Sequence, residues 1–382
     1  MIDRYGPYLV CAAAFLVPLK LSLSYIVIFP LLVLWLLEGR SSVLNDIRAL
    51  SRLYLPYLVF LLSALLSLVM GLDPARSLRY LSSLLFFSFL VPAIYRCTPQ
   101  GAELRVLLAL SAGQTLAALH SCLQALHPDI PGIFLGAVTE SGQLALTIPM
   151  TLGLVMALRR NHLAPPDIRN KALKFLYIAV PILVLALLFN LKRGPWLGVL
   201  AGACVFFVLH SRKFILPAIL LACVVSAALE PVRSRLLDAP KHFYIPGGRK
   251  VIWEVGTELF SKYPLGIGLG NSPILRNFAT EIPPELKHFH SNPINIVVEN
   301  GWISLMLFYW WIFCLLKAAW RRSADSGSFI PASAIGCSIL SWQVAGLFEY
   351  NFGDSEVRFV AFILIAQLAA FGRARVSQTP AS

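Results

Sequence analysis

Charge is what this sequence has least of. Only 13% of its 382 residues are charged, where a soluble globular domain carries about a quarter. That scarcity excludes an ordinary soluble enzyme. Paired cysteines are missing too. Cys11, Cys97, Cys122, Cys204, Cys223, Cys314 and Cys337 are scattered, mostly in apolar runs, with no CxxC. They read as small hydrophobes and give no sign of a disulfide or zinc framework. No internal repeat, low-complexity tract or separate soluble domain is visible. The N-terminus has Arg4 as its one basic residue and lacks the small-residue cleavage site of a signal peptide.

What is abundant is apolar sequence, at 58% of the chain. Long apolar runs recur from end to end, on the scale of a hydrocarbon core of about 30 Å. Inside lipid the backbone must satisfy its own hydrogen bonds, so such runs are expected to be α-helices. The reading is an all-α polytopic membrane protein, one transmembrane domain over 1–382. Twelve spans are expected, at 7–19, 21–37, 53–70, 78–95, 106–126, 141–158, 174–190, 194–209, 214–229, 293–316, 329–348 and 355–371.

Loop charge gives the orientation. With the N-terminus inside, the short inner loops hold 18 Lys and Arg and the short outer loops hold 5. Cytoplasmic loops carry this excess, so both termini are expected in the cytoplasm. The net charge of +13 then follows from topology and is no argument for a nucleic-acid partner. One long loop, 230–292, falls outside. Within it RKVIWEVGTELFSK (249–262) puts apolar residues at 251, 252, 255 and 259, one face of a helix. The loop is expected to form a small folded cap with short helices.

Five stretches can carry chemistry. In NLKRGPWLG (190–198), Lys192 and Arg193 stand at the outer end of a span; they are either a snorkelling anchor or an anion site. Gly194 permits close backbone approach, and Trp196 suits the interfacial belt. In GGRKVIW (247–253), Arg249 opens a helix. A cation there opposes the helix dipole unless an anion sits beside it, and the alternative is an exposed loop arginine. YPLGIGLGN (263–271) has glycines at 266, 268 and 270, but no strand precedes them, so a tight turn is expected and not a dinucleotide site. In KHFHSNPINIVVENGW (287–302), His288 and His290 precede a span, and Glu299 lies two turns deeper. A histidine there can take a proton from a hydroxyl near neutral pH. With Glu281 or Glu285 it could also bind metal, but no convincing third ligand is visible, so no metal is expected. In EYNFGDSEVRF (349–359), Arg358 is expected to pair with Glu349, Asp354 or Glu356. Glu140 and Gln143 open another span from the same side as possible sugar contacts.

Together these motifs resemble the O-antigen ligase family, whose superfamily includes O-antigen polymerases of the Wzy type. RGPWLG is similar to that family's SRGxWLG. GGRKVIW with YPLGIGLGN is similar to GRxxxW…PxxGxGxGN. HFHSNPINIVVENGWISL is similar to HxHNxxLxxxxExGxxGL, with Ser291 in place of the usual asparagine. Lys192 stands where the family has a small residue.

The resemblance implies a glycosyltransferase of the bacterial inner membrane with its site on the periplasmic face. A glycan would pass from undecaprenyl diphosphate to a sugar hydroxyl of lipid A–core, with inversion and without metal or other cofactor. His290 would be the base, and Arg193 and Arg249 would hold the diphosphate. Lys192, His288, Glu299, Glu140 and Arg358 would support them. A Wzy-type polymerase is the alternative, and a transporter of lipid-linked glycan the non-enzymatic one. Arg193, Arg249 and His290 are therefore expected to line one outward cavity.

Overall fold

The computed structural model describes residues 1–160, 164–245, 247–278, 282–283, 286–323 and 329–373. Sixteen α-helices follow one another, with no strand among the described residues. They are α1 (Ile2–Leu16), α2 (Leu21–Leu36), α3 (Arg40–Ala49), α4 (Ser51–Met70), α5 (Pro74–Cys97), α6 (Glu103–Leu126), α7 (Ala137–Arg159) and α8 (Pro166–Phe189). Then come α9 (Arg193–His210), α10 (Ile215–Ala228), α11 (Glu230–Leu237), α12 (Ala239–Tyr244), α13 (Arg249–Lys262), α14 (Asn292–Ser323), α15 (Phe329–Gly346) and α16 (Ser355–Ala370).

Each expected apolar run is helical. Among the described residues, seven helices are long and apolar enough to cross a membrane, or up to nine if each of two bent pairs is one span. The pairs are α2 with α3, bent by 107°, and the α10 segment with α11, bent by 92°. The expected twelve crossings exceed this. Helix α1 has 15 residues and α16 has 16, short for a core that takes about 20 residues at 1.5 Å each.

The bundle is packed around α7, α15 and α16. From Val357 to Ala370 every residue of α16 is buried. Helix α9 reaches this centre through a stripe of glycines. A Cβ on Gly198 would lie 2.4 Å from the Ser341 carbonyl oxygen, and one on Gly202 2.7 Å from that of Cys337. Small residues at four-residue spacing let two membrane helices meet backbone to backbone. This contact brings the start of α9, and so Arg193, against the end of α15. Helix α10 is the opposite case, with no buried residue.

Between α12 and α14 the chain builds a small core of its own. Ile252, Val255 and Leu259 on one face of α13 pack with Ile267, Leu275, Phe289 and Val298, the stripe that the spacing predicts. The glycine turn is explained by a break in α14. Gly301 has φ 80° and ψ 171°, which interrupts the helix, so carbonyls just before it need donors from elsewhere. Ile267 N–H donates to Val298 O at 2.9 Å and Gly268 N–H to Glu299 O at 3.0 Å. A Cβ on Gly266, at φ +97°, would stand 2.4 Å from the Glu299 carbonyl oxygen. The turn at 263–271 is thus shaped to cap a broken helix.

Candidate active site

At one end of the bundle a cavity of about 560 Å³ is lined by Lys192, Arg193, Arg235, Arg249, His290 and Glu349, among others. Arg193, Arg249 and His290, expected to share a cavity, do share this one. Four cations and one carboxylate give its wall a net positive charge. Phe243, Ile252 and Trp253 supply an apolar side.

Each group is held by local structure. Arg193 Nη1 donates to the Arg235 carbonyl at 3.3 Å, and Arg235 Nε donates to the Leu191 carbonyl at 3.2 Å. The two arginines thus tie α9 to α11. Leu191 has φ 53° and His290 φ 48°, and they are the two non-glycine residues with left-handed backbone among those described. Such conformations cost of order 1–3 kcal/mol each and cluster at functional sites. One lies beside Lys192 and Arg193, and the other is the histidine itself.

The histidine loop is fixed from three directions. The Trp253 indole N–H donates to the Phe289 carbonyl at 3.0 Å, and the Phe289 N–H donates to Asn295 Oδ1 at 3.2 Å. The His290 N–H donates to His288 Nδ1 at 3.3 Å. Phe289 itself is buried in the α13 core. Opposite, Arg249 Nη2 donates to the Phe348 carbonyl at 2.8 Å and to Glu349 Oε1 at 3.0 Å. Glu349 Oε2 lies 3.1 Å from His290 Nδ1. One carboxylate therefore bridges the arginine and the histidine. Burial pushes the Glu349 carboxyl up, but the His290 hydrogen bond and the charges of His290, Arg249 and Lys192 outweigh it and hold it below the usual carboxylate value.

His288 and Glu299 face elsewhere. They line a second cavity of about 270 Å³, with Tyr80, Tyr350 and Asp354, and Glu349 forms part of both walls. Burial, then the neighbouring His290, pushes the His288 ring down to about 4, against the pull of Glu349 and Asp354. His288 is therefore uncharged at neutral pH and able to accept from the His290 N–H. Glu299 Oε1 accepts from the Ser272 hydroxyl at 2.6 Å and the Ser272 N–H at 3.1 Å.

Two expectations need correction. Arg358 does not pair with an acid among the described residues. It is buried, donates to the Phe352 carbonyl at 3.1 Å and the Ser355 hydroxyl at 3.3 Å, and lies over the Phe87 and Phe352 rings. Asp354 is occupied instead in capping α16 and accepting from Thr139. Glu140 lines neither cavity: its Oε2 accepts from the Ser121 hydroxyl at 2.6 Å and from Asn190 Nδ2 at 3.0 Å. Gln143 is buried with it. Trp196 is half-buried, and its indole donates to the Leu187 carbonyl at 2.7 Å. Glu281 and Glu285, weighed as metal ligands beside His288 and His290, lie outside the described residues.

The sequence reading missed Arg235 and the bridging role of Glu349. Arg235 carries no motif. Glu349 was visible in the acidic turn, but its true partners are distant in sequence.

A cationic cavity with a histidine at its wall, in a helical membrane bundle, suits an anionic donor and an acceptor that must lose a proton. No curated protein matches the chain. Residues 177–309, which run from α8 into α14 and contain Arg193, Arg235, Arg249 and His290, match the family described as O-antigen ligase. That stretch, about a third of the chain, is similar to the O-antigen ligase family, and the similarity supports a function of the ligase or polymerase type in general.

Proposed function

We propose that the chain transfers a glycan from undecaprenyl diphosphate to a sugar hydroxyl of lipid A–core, on the periplasmic face of the bacterial inner membrane. The observation that carries this reading is the single cavity shared by Lys192, Arg193, Arg235, Arg249 and His290. Such a cluster suits a diphosphate, which guanidinium forks grip at two oxygens at once. As the anomeric carbon–oxygen bond breaks, negative charge grows on the departing diphosphate. Preorganised cations at that point are often the largest catalytic contribution. The acceptor hydroxyl attacks the anomeric carbon from the opposite face, its proton passes to His290, and undecaprenyl diphosphate leaves. Inversion follows from a single displacement. The lipid diphosphate is itself the leaving group, so the reaction needs neither a nucleotide nor a metal.

The test is transfer by the purified protein in lipid, supplied with undecaprenyl-diphosphate glycan with and without lipid A–core. The expected result is product on lipid A–core only, with His290→Ala reduced by about 10²–10⁴-fold, the range of a general base. Elongated glycan on the carrier lipid without core would make the protein a polymerase. No turnover under either condition would reopen the transport reading.

A further inference from the structure

The geometry points to Glu349 as the positioning residue of this site: it fixes the tautomer of His290 and holds Arg249 with the same carboxylate. The inference deepens the proposed function and rests on His290 being the base.

The argument is one of donors and acceptors. An ionised carboxylate can only accept hydrogen bonds. Glu349 Oε2 lies 3.1 Å from His290 Nδ1, so a neutral His290 must carry its proton on Nδ1. That leaves the Nε2 lone pair bare and able to take a proton from a hydroxyl. The other oxygen is engaged by Arg249 at 3.0 Å, which prevents the carboxylate from rotating away. The side chain is 14% exposed, so water competes little for it. The groups around His290 from neighbouring elements are His288, Glu349, Arg249 and, across the cavity, Lys192, Arg193 and Arg235. Of these, Glu349 is the carboxylate within hydrogen-bonding reach of Nδ1.

The discriminating substitution is Glu349→Gln. Its amide oxygen can still accept from Arg249, but its NH₂ faces Nδ1 as a donor. The histidine would then protonate on Nε2, which is the wrong nitrogen for a base. Trapping a histidine in the wrong tautomer costs on the order of 10⁴-fold in rate where a buried acid plays this part in the serine-protease triad.

The experiment is ¹⁵N NMR of the full chain in lipid with labelled histidine, assigned against His290→Ala, alongside transfer kinetics. In the wild type, His290 should show a protonated Nδ1 and a bare Nε2, and Glu349→Gln should reverse them. Turnover should fall by about 10²–10⁴-fold, while the donor KM changes less than about threefold because Arg249 keeps an acceptor. Glu349→Asp should restore the tautomer and part of the rate. A wild-type His290 with bare Nδ1 would overturn the inference, and so would a Glu349→Gln enzyme within about twofold of wild type. The wild-type spectrum needs no substrate, and beyond the His290→Ala reference it does not depend on any Glu349 variant folding. Retained transfer by His290→Ala would count against the base assignment, whatever the spectrum shows.

Discussion

Two arginines flank the turn between α15 and α16, and they live differently. Arg249 reaches the turn from the cavity side, where a carboxylate meets it and about a quarter of its side chain remains exposed. Arg358 enters from the bundle side, is 4% exposed, and binds a carbonyl, a hydroxyl and two aromatic faces. The first keeps donors directed toward a space that a ligand can fill. The second spends its hydrogen bonds on the protein. Position near a helix end does not separate a binding arginine from a structural one; the partners do.

Exchanging these two residues for alanine should split activity from stability. Arg249→Ala should lower transfer by about 10²–10³-fold, the scale of one lost electrostatic contact to a developing charge, with a smaller loss of unfolding temperature in detergent than Arg358→Ala gives. Arg358→Ala should instead lower stability by about 2–4 kcal/mol, since it leaves a buried carbonyl without a donor and a void beside two rings. Thermal unfolding and transfer rate, measured on both variants, check the contrast. Equal loss of both properties in both variants would erase it.

A smaller effect is expected at Asn292. Its Nδ2 donates to Asn351 Oδ1 at 2.7 Å, and its Oδ1 accepts from the Phe352 N–H at 3.0 Å. This pair ties the start of α14 to the same turn. Asn292→Ala should cost about 1–3 kcal/mol, the range for stranding buried polar partners, and is read by the same thermal assay.

A further effect concerns pH and His288. Its folded value of about 4 lies below the ordinary 6.5, so the folded protein binds fewer protons there than the unfolded chain. Its contribution is therefore full above about pH 6.5 and is lost as pH falls toward 4. Unfolding temperature should decline across that window, and His288→Gln should flatten the decline. A decline that is unchanged in the variant would assign it to other groups.

Much of the fold was legible because a membrane writes it plainly: long apolar runs and an uneven distribution of Lys and Arg. Arg193, Arg249 and His290 were legible because each sits at a helix start within a dense local motif. Glu349 was not, because Glu349, Asp354 and Glu356 are equivalent on paper as partners for the nearby Arg358. Only the packing of α13 and the histidine loop against the turn decides between them. Glu140 misled for the same reason: its partners come from α6 and from the end of α8, far apart in sequence. Arg235 lies on a short helix whose pattern gives no hint of what it faces.

The break at Gly301 has a mechanical consequence. The amides of Ile267 and Gly268 take carbonyls of α14, and Leu72 N–H donates to the Ile267 carbonyl at 2.9 Å. The glycine turn, the end of α4 and the first turns of α14, which follow the histidine loop, are thereby riveted together. Lifting that side would unpair the Val298 and Glu299 carbonyls beside the break at Gly301. The other side, formed by α11 and α12, is held by side chains instead: Arg193 donates to the Arg235 carbonyl and Arg235 to the Leu191 carbonyl. The cavity thus has one wall, which carries His290, fixed by backbone pairing, and one wall fixed by arginine side chains.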